Sequence, residues 1–223
     1  MPQDLAFCHT FRVANRVLGI LGGEDAPDGQ LQAWASSATV LYAADSAANR
    51  LIHFGFLPIV VGDLDSFDQS LRSDRLRIVE DSDPDRTDCD KLLALIESDG
   101  YGEATIIGLE GDLLDHVLSS LSSIARSGLK IRIVLRKSTA YVIRAGKEER
   151  VSNALGKRVS LIPLTRSTGV FLTGVLWELN DAVIEPGGAL SVSNEGTGDV
   201  VASVTTGVSV LIVENFESEG PDW

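Results

Sequence analysis

Short apolar segments alternate with helix-like segments along the first two thirds of the chain, and this alternation constrains the fold more than any other feature. The strand-like runs are residues 17–21, 39–43, 57–61, 76–79, 104–107 and 130–135. The segments with helical periodicity are residues 30–36, 47–54, 88–98 and 113–125. Strand–helix alternation of this kind predicts a parallel sheet covered by helices, which is a three-layer α/β domain.

The pattern changes after about Arg136. The apolar runs there are short, rich in β-branched residues and separated by Gly, Asn, Pro or Ser, and they comprise residues 140–144, 158–163, 170–178, 189–192, 200–206 and 208–213. This pattern predicts an all-β sandwich. We therefore expect an α/β domain over residues 1–137 and a β-sandwich domain over residues 138–223, with residues 146–150 as a linker or hairpin tip and a frayed acidic tail over residues 217–223.

Composition narrows the classes of function. The 223 residues are 44% hydrophobic and 23% charged, with a net charge of −13, which is typical of a globular protein. A chain this acidic lacks the basic stripe through which proteins bind nucleic acids or anionic membranes. We therefore expect neither of them as a partner. The two cysteines, Cys8 and Cys89, have no metal-ligand spacing, and the early apolar run of residues 17–21 is too short for a signal sequence or membrane span. These features predict a cytoplasmic protein.

Two aspartates follow the strand predicted over residues 57–61. Asp63 and Asp65 are separated by one residue, and they project the same way if that segment is extended. Ligands of open parallel sheets bind beyond the carboxyl ends of the strands. Carboxylates at this edge suit Mg²⁺, which prefers hard oxygen ligands. The alternative is a solvated turn of the Asx type.

A second acidic segment, residues 80–88, follows the next strand and ends where a helix begins. So many carboxylates repel one another unless cations neutralise them. Asp85 and Asp88 are the members that we assign to a site with Asp63 and Asp65. Asp81 is interpreted as a solvated charge. Asp90 is interpreted as a helix-start charge, in capping-box spacing with Thr87.

Two further turns have the same strand–turn–helix placement. Residues 44–51 carry small side chains that let backbone N–H groups approach an anion at a helix start, although Asp45 would serve equally as an N-cap. Residues 108–116 end in Asp115 and His116, and a lone histidine is more often structural than catalytic. Four such turns on one edge of a sheet favour a site for a metal and a nucleotide triphosphate.

The ordered motifs at residues 44–51, 62–66, 83–88, 114–116 and 193–195 resemble those of the thiamine pyrophosphokinase (thiamine diphosphokinase) family. The resemblance implies an α/β domain followed by a β-sandwich, working as a homodimer. It also implies Mg²⁺-dependent transfer of the diphosphoryl group of ATP to the thiamine hydroxyl, giving thiamine diphosphate and AMP.

The resemblance also implies roles for individual residues. The catalytic acids are Asp63, Asp65, Asp85, Asp88 and Asp115, of which Asp63, Asp65 and Asp88 hold the metal. The residues around the nucleotide are Asp45, Asn49, Arg50, Ser66, Arg86, Thr87, Lys91 and His116. The thiamine pocket, shared across the dimer, is lined by Thr173, Trp177, Ser193 and Asn194. An aromatic face such as that of Trp177 suits the thiamine cation, although a tryptophan in a core is the alternative.

The sequence departs from the family pattern at three points. Ser46-Ala47 replaces a glycine pair, Pro84 replaces a glutamine, and Asp112-Leu113 replaces a Gly-Arg pair. The lost arginine removes one phosphate contact, for which Arg50, Arg86 or Lys91 would have to substitute. Two other functions therefore stay open: a related pyrophosphokinase acting on a pterin-type alcohol, and a catalytically silent protein that binds nucleotide or thiamine.

Overall fold

The computed structural model describes residues 16–23, 26–215, 220, 221 and 223. Its first half contains a parallel sheet with the spatial order β4-β3-β2-β1-β5-β6. The strands are β1 (Val17–Ile20), β2 (Val40–Ala44), β3 (Ile59–Gly62), β4 (Ile78–Glu80), β5 (Glu103–Ile107) and β6 (Lys130–Val134). The six predicted strands are thus confirmed, with ends that move by one or two residues.

Helices cover both faces of this sheet. They are α1 (Asp28–Ser37), α2 (Asp45–His53), α3 (Asp88–Ser98) and α4 (Leu114–Arg126), with a 3-10 turn at Gln69–Leu71. Side chains of a strand alternate between the faces: Ala43 packs in the cluster with α1 and α2, whereas Tyr42 and Ala44 pack in the cluster with α3 and α4. The three-layer prediction is confirmed. The capping box of Thr87 and Asp90 at the start of α3 is also present.

The second half is antiparallel and extends the same sheet. Its strands are β7 (Ser138–Arg144), β8 (Lys147–Val151), β9 (Arg158–Pro163), β10 (Ser167–Val175), β11 (Leu179–Ile184), β12 (Ser191–Val204) and β13 (Val208–Glu214). Strand β7 pairs with β6, and β13, β9 and the start of β12 follow. The end of β12 pairs with β8 and β10 in a second layer that β11 completes.

An apolar core lies between these two layers, formed by Ile143, Val159, Leu161, Val170, Leu172, Val200, Ala202, Leu211 and neighbouring residues. The β-sandwich prediction is therefore confirmed. Because β12 belongs to both layers, it joins them through one continuous backbone.

Three details of the β-half differ from the sequence prediction. Residues 147–150 are neither a linker nor a hairpin tip: they lie in the edge strand β8, which pairs with β12, and of residues 146–150 only Gly146 lies in the turn between β7 and β8. The runs at 189–192 and 200–206 do not form two strands, since β12 is continuous through the polar segment between them. Strand β11 was not predicted, because its Asn-Asp pair hides the alternation.

The chain terminus is partly described. Residues 217–219 and 222, where fraying was predicted, lie outside the described part, as does Cys8. Trp223 is not frayed: its ring packs edge-on against Trp34 at 5.1 Å, and its Nε1 donates to Ser37 Oγ at 3.0 Å. In the described part of the chain, helices are too short or too polar to traverse a bilayer.

Candidate functional site

Three aspartates meet at the carboxyl edge of the parallel sheet. Asp45 is the first residue of α2, directly after β2, and Asp63 and Asp65 lie in the turn after β3. Each offers a carboxylate oxygen, and the three oxygens lie within 4.8 Å of one another. Among the described residues, the structure thus groups Asp45, rather than the predicted Asp88, with Asp63 and Asp65.

A tight turn, and not an extended segment, brings Asp63 and Asp65 together. Leu64 has a φ of 66°, in the left-handed region that non-glycine residues rarely adopt. Asp65 N donates to Asp63 Oδ1 at 3.3 Å, which closes an Asx turn. Ser66 Oγ donates to Asp65 Oδ1 at 2.9 Å. The Asx turn, which the sequence left open as the alternative, is therefore present, and both carboxylates reach the same site.

Asp45 is the buried member of this triad, with 2% of its surface exposed. Its oxygens accept hydrogen bonds from Ser46 N at 2.7 Å and Ser66 N at 3.4 Å. Burial raises the pKa of Asp45, and the nearby charges of Asp63 and Asp65 raise it further against these two bonds. The charged form of Asp45 is therefore disfavoured in the metal-free protein, and a bound cation would stabilise it.

Lys91 lies behind the acids as a buried ammonium. Only 4% of the residue is exposed. Its Nζ is 3.6 Å from Asp63 Oδ2 and 3.8 Å from Asp88 Oδ1. Burial raises the pKa of Asp88, and Asp45 raises it further, while Lys91 opposes both effects. The hydrogen bond from Asp65 N lowers the pKa of Asp63, and Lys91 lowers it further.

The donor set fits a magnesium ion. The triad supplies hard carboxylate oxygens at a spacing that one small divalent cation can bridge, and the exposed Asp63 and Asp65 leave room for water and phosphate ligands. Four neighbouring carboxylates, counting Asp88, exceed the single positive charge of Lys91. A divalent cation would offset that excess.

Asn49 and Arg50 fix the elements around the triad. Asn49 Nδ2 donates to Ser66 O at 2.8 Å, and its Oδ1 accepts from Asp68 N at 2.9 Å, so it ties α2 to the turn after β3. The Arg50 guanidinium pairs with Asp28 and donates to Ala26 O. Both residues therefore hold the site together, and Arg50 is already engaged by protein groups.

A cavity of about 230 Å³ lies next to the triad, at the point where the strand order reverses between β1 and β5. This switch point is where open α/β sheets bind their ligands. The lining residues include Gly22, Gly23, Ser46, Asn49, Arg50 and Gly108.

The sequence interpretation missed this cavity, because it assigned no role to Gly22, Gly23 or Gly108. A Cβ on Gly23 would lie 2.1 Å from Glu110 O, and one on Gly108, whose φ is +86°, would lie 2.2 Å from Leu21 O. Gly23 and Gly108 allow the loops after β1 and β5 to pack closely together. These two glycines were the sequence signal from which the cavity could have been predicted.

The side chains of the second acidic segment, residues 80–88, lie in two different parts of the structure. Asp88 reaches Lys91, whereas Asp85 and Arg86 line a groove between α3 and α4. Arg86 pairs with Asp81 at 2.6 Å, so the expectation of a solvated Asp81 is wrong. Thr87 caps α3 through its capping box with Asp90, and Asp90 also pairs with Arg126 at 2.7 Å, which agrees with its interpretation as a helix-start charge.

Asp115 and His116 lie in the exposed first turn of α4, after β5. His116 Nδ1 is 3.0 Å from Asp112 Oδ1. Leu113 and Leu114, beside them, are exposed large apolar side chains. The departure at Asp112-Leu113 thus places an acid against the histidine and a leucine on the surface.

The predicted thiamine-pocket residues lie in the sandwich. Trp177 follows β10 and is 66% exposed, so it is not a core residue, and Thr173 is exposed on β10. Asn194 is 2% exposed, and its amide bonds to both the N–H and the carbonyl of Trp177. Ser193 has a φ of 58°, and its N–H donates to Ser160 Oγ at 3.1 Å. Asn194 therefore positions Trp177.

Two family models match the chain. Thiamin pyrophosphokinase, catalytic domain, matches residues 31–135, and thiamin pyrophosphokinase, vitamin B1 binding domain, matches residues 141–211. Together they cover most of the chain, which belongs to the thiamin pyrophosphokinase family, a family of enzymes. No curated protein sequence matches the chain.

Solved structures share the fold. Thiamine pyrophosphokinase from Bacillus subtilis is 23% identical with a TM-score of 0.72, and the match covers 90% of this chain and 99% of that one. The yeast enzyme is 17% identical with a TM-score of 0.72, covering 93% and 88% of the two chains. Thiamin pyrophosphokinase from Candida albicans is 16% identical with a TM-score of 0.72, and 90% of each chain is covered.

Proposed function

We propose that this chain is a thiamine diphosphokinase, which transfers the diphosphoryl group of ATP to the hydroxyl of thiamine and yields thiamine diphosphate and AMP. The observation that carries the proposal is the carboxylate triad of Asp45, Asp63 and Asp65 beside the switch-point cavity, in a chain of this family. A carboxylate triad that can hold a metal next to a recess is the arrangement that phosphoryl-type transfer needs.

The nucleotide occupies the switch-point cavity in this proposal. The start of α2, at Asp45 and Ser46, directs backbone N–H groups toward this edge, where they favour phosphate oxygens. The glycines after β1 and β5 let the backbone approach the ligand closely. Arg50, paired with Asp28, lies at the cavity wall, and we assign His116 and Arg86 to the nucleotide as well.

Mg²⁺ held by Asp45, Asp63 and Asp65 would neutralise charge on the phosphates and so make the β-phosphorus easier to attack. The thiamine oxygen forms a bond to the β-phosphorus, the bond from that phosphorus to the α-phosphate oxygen breaks, and AMP leaves. The hydroxyl proton passes to a carboxylate. Asp88 suits that role, because it is half exposed and its raised pKa makes it a stronger base than an ordinary aspartate.

The sandwich supplies the acceptor pocket in this proposal. Thiamine is a cation, and the exposed face of Trp177 offers a cation–π contact that Asn194 holds in position. Thr173 and Ser193 are exposed polar groups of the same half. Residues 1–137 thus form the nucleotide- and metal-binding domain, and residues 138–223 form the thiamine-binding and dimerisation domain.

A cytoplasmic homodimer completes the proposed site. Large apolar side chains of the sandwich are exposed, and they include Leu176, Trp177, Leu190 and Val192. Exposed apolar side chains of this size favour burial against another protein surface. A second copy that covers them would bring its acidic site toward the thiamine pocket of the first, as the shared pocket requires.

Two other functions have specific features in their favour. A pyrophosphokinase acting on a pterin-type alcohol would use the same acidic edge, but the sandwich with its exposed Trp177 favours thiamine. A silent binding protein draws support from Asp112-Leu113 alone. The contact between His116 Nδ1 and Asp112 Oδ1 reduces that support, because it engages the added acid with a protein side chain.

Incubation with Mg-ATP and either thiamine or a pterin alcohol separates the three functions. We expect AMP and a diphosphorylated product with thiamine only. AMP formation with the pterin alone would select the second function, and no AMP with either acceptor would select the silent protein.

A further inference from the structure

We infer that Lys91 takes the place of a second metal ion, so that this site binds one divalent cation at Asp45, Asp63 and Asp65 and a fixed ammonium between Asp63 and Asp88. The inference rests on the proposed function, because it concerns the number of metal ions at the site of that reaction. The number of metal ions, however, is measurable without ATP or thiamine.

The first argument is the position of the ammonium. Lys91 Nζ lies between the two carboxylates, at 3.6 Å from Asp63 Oδ2 and 3.8 Å from Asp88 Oδ1. Lysine is rarely buried to this degree unless it is paired, and Lys91 is 4% exposed. The protein therefore holds a lysine ammonium near two acids of the site.

The second argument is that Lys91 leaves no place for a second metal ion. A magnesium ion bridging Asp63 and Asp88 would need oxygen distances of about 2.0–2.1 Å. An ion so placed would lie close to Nζ, and two cations at that separation repel each other. The buried lysine cannot swing into solvent without breaking its packing, so the second metal is the species that is excluded.

The third argument is the division of the acids. Asp45, Asp63 and Asp65 converge within 4.8 Å, whereas Asp88 reaches the site from α3 on the side of Lys91. Asp63 touches both groups, so it bridges the metal position and the ammonium. Asp63 thus connects the metal position with Lys91, and the negative charge of Asp88 offsets the positive charge of Lys91.

Binding of Mn²⁺ to the nucleotide-free protein, followed by electron paramagnetic resonance, tests this inference. The expected result is one Mn²⁺ per chain for the wild type and two for Lys91→Met, because methionine keeps the length of the side chain and removes the charge. Lys91→Met combined with Asp88→Asn returns the number to one. Lys147→Met on the exposed edge strand β8 is the matched control, with one Mn²⁺.

A second variant keeps the test valid if Lys91→Met does not fold. Asp88→Asn alone, at a half-exposed position, is expected to change the Mn²⁺ dissociation constant by less than about threefold, whereas Asp65→Asn raises it by about tenfold or more. Two ions on the wild type, one ion on a folded Lys91→Met, or an equal loss for Asp88→Asn and Asp65→Asn would each overturn the inference. A thiamine assay run separately reports on the proposed function, so the two fail independently.

Discussion

The side-chain amide of Asn194 holds the backbone of Trp177 from both sides, since its Nδ2 donates to Trp177 O at 2.7 Å and its Oδ1 accepts from Trp177 N at 3.1 Å. The asparagine is buried and the tryptophan ring is exposed. A buried residue of β12 thus sets the position of the aromatic face that we assign to thiamine.

Asn194→Ala should therefore raise the KM for thiamine more than it lowers kcat, because the loop that carries Trp177 loses its anchor. The lost buried hydrogen bonds should also lower the free energy of unfolding by about 1–3 kcal/mol. Steady-state kinetics and urea unfolding measure the two effects. Asn180→Ala, at an exposed position of β11, is the matched control. An unchanged KM for thiamine would show that Asn194 has only a structural role.

Asp65→Asn should abolish turnover and leave the fold intact. Asp65 is exposed and belongs to the triad, so its loss removes a metal ligand without opening the core. We expect kcat to fall by about a hundredfold or more, in line with the effect of losing preorganised charge at a phosphate site. Asp74→Asn, an exposed aspartate between β3 and β4, serves as the control. Turnover within a factor of about two of the wild type would refute the metal assignment.

Mg²⁺ should stabilise the protein, and this effect should weaken as the pH falls. The pKa values of Asp45 and Asp88 are raised above the ordinary 3.8. In the window between the ordinary and the raised pKa, the folded state holds more protons than the unfolded state. The metal-free protein therefore loses stability as the pH rises through that window.

Because Mg²⁺ binds the charged carboxylates, its contribution to the melting temperature should be larger at about pH 7.5 than at about pH 5. Thermal unfolding with and without Mg²⁺ at both pH values measures it. Asp65→Asn should show a smaller Mg²⁺ effect at both. An equal increase at the two pH values would contradict the placement of Asp45 in the metal site.

Gly23→Ala should damage the switch-point cavity. The added Cβ would lie 2.1 Å from Glu110 O and 2.3 Å from Gly108 O, both backbone atoms that cannot move without shifting the loop after β5. We expect a loss of about 1–3 kcal/mol in the free energy of unfolding, together with a raised KM for ATP. Gly102→Ala, where a Cβ meets nothing within 4 Å, is the control. Equal effects of the two substitutions would remove the argument for this cavity.

The sequence predicted the parallel half well, because its buried strands are apolar runs and its helices have apolar side chains at helical spacing, with Thr87 as the cap of α3. It predicted that Asp63 and Asp65 reach one site, since both follow a strand at the carboxyl edge. It did not decide whether Asp45 is a cap or a site residue, because both roles put an aspartate at a helix start. The structure separates them, because Ala44 is the N-cap of α2 and Asp45 lies with Asp63 and Asp65.

Other features depend on contacts that no local pattern encodes. Asp85 was expected in one site with Asp88 but lines the groove between α3 and α4. Strand β8 was taken for a linker because its charges suit an edge strand as well as a loop. The role of Asn194 was assigned to substrate contact, whereas its amide is occupied by Trp177.

The most direct test of the proposed reaction is the quantity and identity of the nucleotide product. ATP labelled at the β-phosphorus is incubated with Mg²⁺, thiamine and the protein, and the products are separated by chromatography. Transfer of the diphosphoryl group predicts AMP and labelled thiamine diphosphate in equal amounts. Formation of ADP with thiamine monophosphate, or of AMP and free diphosphate at the same rate without thiamine, would contradict it.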